Sequence, residues 1–404
     1  MPATTTPLPG TSETAPEFKT FTINMGPQHP STHGVLRLII ELDGETVVSL
    51  KPVMGYLHTG MEKIMESKTY TKSITVTDRM DYLSPLGNNM GYVGAVEKIL
   101  GTEVPDRAKT LRIIFLEIMR ISSHLVWLGT HALDLGAMSV FLYCFREREK
   151  LLDLNDMCAG SRLTPSYFRV GGFFQDVPDT FVPAVRKFLT EFPAALAEYQ
   201  NLLTKNRIWM KRTIGVGTLS AQDAIDLGCT GPTLRGSGVK YDVRKAMPYL
   251  GYESYEFEVP LGKNGDVFDR YLCRIEEMKQ SMGIIQQALD RLRPGPVRAS
   301  NQYLFPADRS DVKLGMEELI YHFKIMSEGF RVGPGDAYFS IESPKGELGF
   351  YVVADGGPKP YRVRVRPPSF IHLMALESMC MGRMVADVVA CIGTIDIVLG
   401  EVDR

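Results

Sequence analysis

The stretch Pro105-Asp106-Arg107-Ala108-Lys109-Thr110-Leu111-Arg112-Ile113-Ile114-Phe115-Leu116-Glu117-Ile118-Met119-Arg120-Ile121-Ser122-Ser123-His124-Leu125-Val126-Trp127-Leu128 decides the architecture. Pro105 followed by Asp106 is helix N-terminal chemistry: the ring gives up an N–H that has no partner there, and the carboxylate meets the positive end of the helix. Leu111, Ile114, Phe115, Ile118, Ile121, Leu125 and Leu128 then recur at helical spacing, the apolar face of one long helix. On the same wheel Glu117, Arg120, His124 and His131 fall within an arc of about 60° beside that face, provided Gly129 does not break the helix. A polar stripe this narrow is most simply a solvated or salt-bridged edge, with a catalytic role as the alternative.

Outward from this element the same period continues. Phe268, Tyr271, Leu272, Ile275, Met278, Met282, Ile285, Leu289 and Leu292 mark a second long helix that stops at Pro294-Gly295. Helices are also expected near 182–206, 315–327 and 370–389. Towards the chain ends the period changes to two. Runs at 35–42 and 45–51 flank Asp43-Gly44, and runs at 348–354 and 361–366 flank Asp355-Gly356-Gly357, each a hairpin signal. The expected class is α+β, mainly α, with a small β piece assembled from both ends. The expected division is a disordered tail over 1–20, a β part at about 21–55, a helical core at about 56–340, and a β hairpin with a helix at about 341–404. The tail expectation rests on the first 17 residues, which are rich in Thr, Pro and Ser and contain no Arg or Lys.

Composition narrows the function. With 404 residues, 44% of them hydrophobic, the chain can bury a large core. A net charge of −2 gives no electrostatic reason for a nucleic-acid partner. No apolar run reaches the roughly 18 to 20 residues of a membrane span, and the stretch at 384–392 is cut by Asp387. The expectation is a chain that is soluble or held at a membrane through partners. Six scattered cysteines without a C-x-x-C pair are expected to be reduced and mostly buried, and to hold neither cluster nor zinc on their own.

Four segments carry candidate chemistry. Gly26-Pro27-Gln28-His29-Pro30-Ser31-Thr32-His33-Gly34 is a loop rigid enough to hold a histidine for proton exchange, although either ring could instead satisfy backbone groups. Arg79-Met80-Asp81-Tyr82-Leu83-Ser84 sets a cation, a carboxylate, a phenol and a hydroxyl within six residues. Tyr82 can donate to a carbonyl oxygen, and its bland reading is a core-edge tyrosine beside an ion pair. Asp134 stands in a mostly apolar context, which asks for a partner. Arg235-Gly236-Ser237-Gly238 lacks the spacing of either phosphate-binding fingerprint and reads as a tight turn.

Taken together these blocks resemble a known family. Gly26–Gly34, then Tyr56-Leu57-His58-Thr59-Gly60-Met61-Glu62-Lys63, Arg79–Ser84, Thr130-His131-Ala132-Leu133-Asp134-Leu135-Gly136-Ala137-Met138, Asn206-Arg207-Ile208-Trp209, Leu234–Gly238, Asp269-Arg270-Tyr271-Leu272-Cys273-Arg274 and the final Asp396–Arg404 are similar, in order, to the D subunit of respiratory complex I. The likeness runs from about Phe21 to Arg404. That family is similar in turn to the large subunit of nickel–iron hydrogenases, which implies a fold like that subunit's. Such hydrogenases hold their metals with two pairs of cysteine thiolates. At the matching positions this chain has Asp81, Ser84, Val398 and Glu401, so hydrogenase activity is not expected.

The resemblance implies a subunit of proton-translocating NADH:quinone oxidoreductase that forms the quinone headgroup site with an iron–sulfur B subunit and is inactive alone. It implies Tyr82 and His33 as headgroup contacts and Asp134 as the acid thought to pair with His33 and favour its charged form. Arg79 would lie beside a 4Fe-4S cluster held in the B subunit, and this chain would bind no metal or cofactor itself. The B and C subunits, other complex I subunits and the membrane-arm subunit at the quinone entrance are the implied partners. The implied location is peripheral, on the cytoplasmic side of a bacterial inner membrane. The competing readings are an active hydrogenase and a structural scaffold in a related membrane-bound hydrogenase-like or ferredoxin-dependent complex. Two departures from the family stand out: Thr164 replaces a frequent histidine, and Thr59 replaces a frequent arginine.

Overall fold

The computed structural model describes residues 20–301, 303–307 and 309–404. Apart from Thr20, the expected tail lies outside the described residues. The class is α+β and mainly α, as the periodicities indicate.

The central helix runs from Asp106 to Asp134 without a break at Gly129. That glycine has a packing reason: a Cβ there would stand 3.3 Å from the Cα of Phe141, so its absence lets the helix Met138–Ala159 lie close. The helix Val267–Arg291 packs along the other side. The polar stripe of the central helix is not solvated. Glu117, Arg120, His124 and His131 are all buried against these neighbours, with Glu117 paired to Arg120 and Arg244, and His124 to Glu277.

The β segments from the two chain ends form separate sheets rather than one piece. Phe21–Met25, Arg37–Asp43 and Thr46–Val53 make the first, with Leu38, Ile40 and Leu42 buried on one face. Asp43 pairs with Thr46, so the turn residues are Gly44 and Glu45. Gly335–Ser343, Gly346–Ala354 and Arg362–Arg366 make the second. Its first strand escaped the periodicity argument because Ser340 to Ser343 are all buried, which erases the in–out alternation. The helix Pro85–Leu100 lies on this sheet through Gly91 and Gly94, whose Cβ positions would fall 2.7 and 2.4 Å from the rings of Phe350 and Phe339.

The helix expected over 370–389 is instead three: Pro368–Met374, Leu376–Cys380 and Val385–Ile395. The reason is a competing backbone partner. Gly382, with φ +70, donates to the Val47 carbonyl, and Val47 donates back to Arg383, so this segment caps the edge of the first sheet. Arg235 lies in a short helix, Gly231–Gly236, and its guanidinium is buried against Glu277 and Glu342. One hydrophobic core surrounds the central helix, and a second joins the first sheet to the C-terminal helices. All six cysteines are free and buried. Among the described residues no helix is long and apolar enough to cross a membrane.

Candidate functional site

The loop before the second strand is built to project a histidine. Pro30–Thr32 forms one 3-10 turn, the Thr32 hydroxyl donates to the His29 carbonyl at 2.9 Å, and the Ser31 N–H donates to His29 Nδ1 at 3.2 Å. His33 closes the turn in the left-handed region, φ 55, and its N–H donates to the Pro30 carbonyl. Its outer edge meets solvent while protein crowds its inner side. That burial, then the nearby charge of Lys345, lowers its pKa and favours the neutral ring.

Tyr82 occupies the turn between the helices Tyr70–Thr77 and Pro85–Leu100 and is 41% exposed. Burial and the Asp81 charge push its phenol up, and Lys345 pulls it partly back. Tyr82 and His33, 49 positions apart in the numbering, therefore both feel the charge of the same cation.

Lys345 was not singled out in the sequence, because a lysine in a Pro-Lys-Gly hairpin turn reads as solvated. It is fully buried. Its Nζ donates to Ser123 Oγ at 2.9 Å and lies 3.3 Å from Asp81 Oδ2 and 3.9 Å from Asp396 Oδ2. Burial alone would lower its pKa, but Asp396, Asp81 and Glu401 raise it, so the ammonium is retained. Glu401 is buried beside Asp81 and bonded to the Ser369 hydroxyl; burial and the Asp81 charge push its carboxyl up to about 8. Asp396, in the left-handed region at φ 50, is pushed by burial up to about 6. The first and last motifs thus meet. Gly400 makes the contact possible, since a Cβ there would stand 2.6 Å from the Met80 carbonyl oxygen.

Asp134 ends the central helix and accepts from Ser31 Oγ at 3.4 Å. Burial raises its pKa, and the Ser31 bond and the charge of His29 lower it. Its bonded partner is therefore Ser31, and its histidine neighbour is His29; among the described contacts none joins it to His33. Arg79 is exposed, and among the described residues no ion pair links it to Asp78 or Asp81. Asp78 instead takes its hydrogen bond from Asn89 at 2.5 Å, and burial lifts its carboxyl to about 7. Among the described residues no group of three or more His, Cys, Asp or Glu is placed to hold a metal ion.

Comparison with known proteins gives the family. The model of the respiratory-chain NADH dehydrogenase 49 Kd subunit matches residues 134–404. The chain is 60% identical over 389 residues to the NADH-quinone oxidoreductase D subunit numbered 2 of Chloroflexus aurantiacus, covering 96% of this chain and 95% of that one. It is 57% identical over 383 residues to the NADH-quinone oxidoreductase D subunit of Geobacter sulfurreducens, covering 95% of this chain and 98% of that one.

The chain belongs to the D-subunit, or 49 kDa, family of NADH-quinone oxidoreductase.

It is accordingly part of an oxidoreductase complex, and other complex I subunits are its partners. At the four positions matched to hydrogenase cysteines this member of the D-subunit family carries Asp81, Ser84, Val398 and Glu401, three of them polar and all of them buried. A carboxylate–ammonium cluster occupies the place where the two end motifs meet.

Proposed function

We propose that this chain forms the quinone headgroup site of the complex together with the iron–sulfur B subunit. The observation that supports the reading is that Tyr82 and His33, distant in sequence, both lie within reach of the charge of the buried Lys345, which pairs with Asp81 next to Tyr82. Reducing a quinone to a quinol takes two electrons and two protons at two carbonyl oxygens, so two donors must face one headgroup. Tyr82 O–H donates to one oxygen. His33, neutral in this setting, donates its ring N–H to the other. Asp134 acts through the loop: it holds Ser31, two residues before His33.

Electrons come from NADH through the partner's 4Fe-4S cluster, which supplies the redox chemistry when that subunit is in place. Arg79, exposed and without an ion pair among the described residues, is the cation we assign to face that partner. Favouring the reduced cluster electrostatically is its role. The C subunit and a membrane-arm subunit at the quinone entrance complete the surroundings, since a lipid-soluble quinone must reach a chain that lies peripherally on the cytoplasmic face of the bacterial membrane.

The test is Tyr82→Phe in the assembled complex, which keeps the ring and removes the donor. Inhibitor-sensitive NADH:quinone reduction is expected to fall by about 100-fold or more, with NADH:ferricyanide activity unchanged as the control for assembly. Equal quinone turnover in both forms would remove the headgroup role from this residue.

A further inference from the structure

Behind Lys345 the interior holds polar atoms that no protein atom satisfies. Arg274 is fully buried on the helix Val267–Arg291, and its Nε, Nη1 and Nη2 all lack a hydrogen-bond partner within the protein. The guanidinium lies 4.3 Å over the Trp127 ring, with its N–H groups left to point elsewhere. Both ring nitrogens of His131 are likewise unpartnered, as are Thr394 Oγ1 and Asp396 Oδ2. These groups are neighbours. The Trp127 ring that carries Arg274 lies 5.4 Å from the His131 ring and donates its N–H to the Gly393 carbonyl, and Gly393, next to Thr394, lets His131 pack against its Cα, where a Cβ would stand 2.5 Å from the imidazole.

A dry interior would penalise each orphaned donor by about 1–3 kcal/mol, and a charged one by more. One guanidinium, one imidazole, one hydroxyl and one carboxylate orphaned together therefore call for a ligand that donates and accepts. The cations Lys345 and Arg274 already have the carboxyl groups of Asp81, Asp396, Glu401 and Glu277 around them, so no further anion is required. A neutral ligand that donates and accepts is water.

We propose that Arg274, His131, Thr394 and Asp396 enclose a cluster of internal water molecules that carries protons from Asp396 to the donors of the quinone site. The inference rests on the headgroup reading above. Geometry fixes one end of the route: Asp396 and Asp81 flank Lys345 Nζ at 3.9 and 3.3 Å, and Asp81 adjoins Tyr82 in the chain. At the other end His131 lies within electrostatic reach of His33. Each turnover takes one proton from Tyr82 and one from His33, which the cluster first charges to its imidazolium so that it returns to the neutral ring, while NADH supplies the two electrons. The Asp396 carboxyl loses a proton to water, the excess proton passes along the cluster to the depleted donor, and the carboxylate is refilled from solution. An Asp396 carboxyl pushed up to about 6 exchanges protons near neutral pH. The charged or titratable groups facing it are Lys345 from the hairpin, Arg274 and Glu277 from the long helix, and Asp81 from the turn before Pro85.

Two variants in the assembled complex, read with a short-chain quinone, separate the outcomes. Thr394→Val keeps the shape and removes an orphaned hydroxyl. A hydrated chamber predicts a fall in quinone turnover of about 10-fold, a KM for quinone within about twofold, and a larger solvent deuterium effect. A dry interior predicts unchanged turnover and a higher Tm. Asp396→Asn is expected to lower turnover and lose the corresponding limb of the pH profile, with Asp396→Glu restoring both. Density within hydrogen-bond reach of the three Arg274 nitrogens, in a map that resolves water, is the second expectation. Wild-type turnover in both Thr394→Val and Asp396→Asn, or no such density, overturns the relay. If Tyr82→Phe has abolished quinone turnover, only the relay fails; if Tyr82→Phe is also silent, the headgroup reading fails with it.

Discussion

Lys345 Nζ stands 3.3 Å from Asp81 Oδ2, so the tip of a β hairpin from the C-terminal half locks onto the motif that carries Tyr82. The pair is fully buried. Its value lies in what breaking it would expose, because a lone charge left in a dry interior is costly while a matched pair is close to neutral.

Lys345→Met removes the cation and leaves Asp81 and Asp396 facing each other. The expected loss of stability is about 3–5 kcal/mol, read as reduced assembly of the complex or a lower inactivation temperature. In whatever assembles, the pKa of His33 rises, since the Lys345 charge holds it down. A pH–rate profile of quinone reduction in which that limb does not move upward would show that the two residues are not coupled.

Glu401→Gln tests the raised carboxyl. In the folded chain Glu401 titrates at about 8, well above the usual carboxylate range. A raised acid contributes stability that is complete below the unfolded pKa and is lost as pH rises through the folded one. Glutamine mimics the protonated acid at every pH. The variant therefore gains on wild type between about pH 5 and 8, by about 1.4 kcal/mol per pH unit. Comparing thermal inactivation of the two complexes across that range cancels every other titrating group.

Ser31→Ala deletes the donor to Asp134, observed at 3.4 Å. A part-buried hydrogen bond to a carboxylate contributes about 1–2 kcal/mol. The loop that projects His33 is expected to loosen, raising the KM for quinone severalfold with little change in the NADH:ferricyanide rate. A KM within error of wild type would mean that Thr32 and the 3-10 turn position the loop unaided.

Thr164 lies half-buried in the loop before the Phe168–Arg169 strand, at the position where the family resemblance implies a histidine. Threonine has no group that titrates in this range. The potential of the cluster proposed for the partner subunit is therefore expected to fall with pH by much less than the about 59 mV per unit of a fully proton-coupled one-electron step. Thr164→His should steepen that slope in a redox titration across pH 6 to 8.

Much of the fold could be read directly, because local chemistry sets it. The 29-residue central helix announces itself through Pro105, Asp106 and seven apolar residues in phase, and Gly44 marks the first hairpin. Of what the sequence did not show, three features have a plain physical reason. The strand Gly335–Ser343 is buried on both sides at its end and so loses its period. The helix expected at 370–389 is interrupted by a backbone exchange with Val47, a residue more than 300 positions away. The polar stripe of the central helix reads as a solvated or salt-bridged edge, yet it is the core of the molecule, because Arg244, Arg235 and Glu277 arrive from elsewhere to pair with it.

Residue type and spacing were enough for the helical period, the hairpin turns, the loss of all four thiolates and, through ordered motifs, the family. Those are properties that survive in one dimension. Only the folded chain reveals that Lys345 is buried, that its charge reaches both Tyr82 and His33, that Asp134 bonds Ser31, and that Arg274 is buried with its guanidinium nitrogens unpartnered. Each of these depends on which distant groups meet and how much water they exclude, and a buried charge leaves no local trace in the chain of the partner that will compensate it.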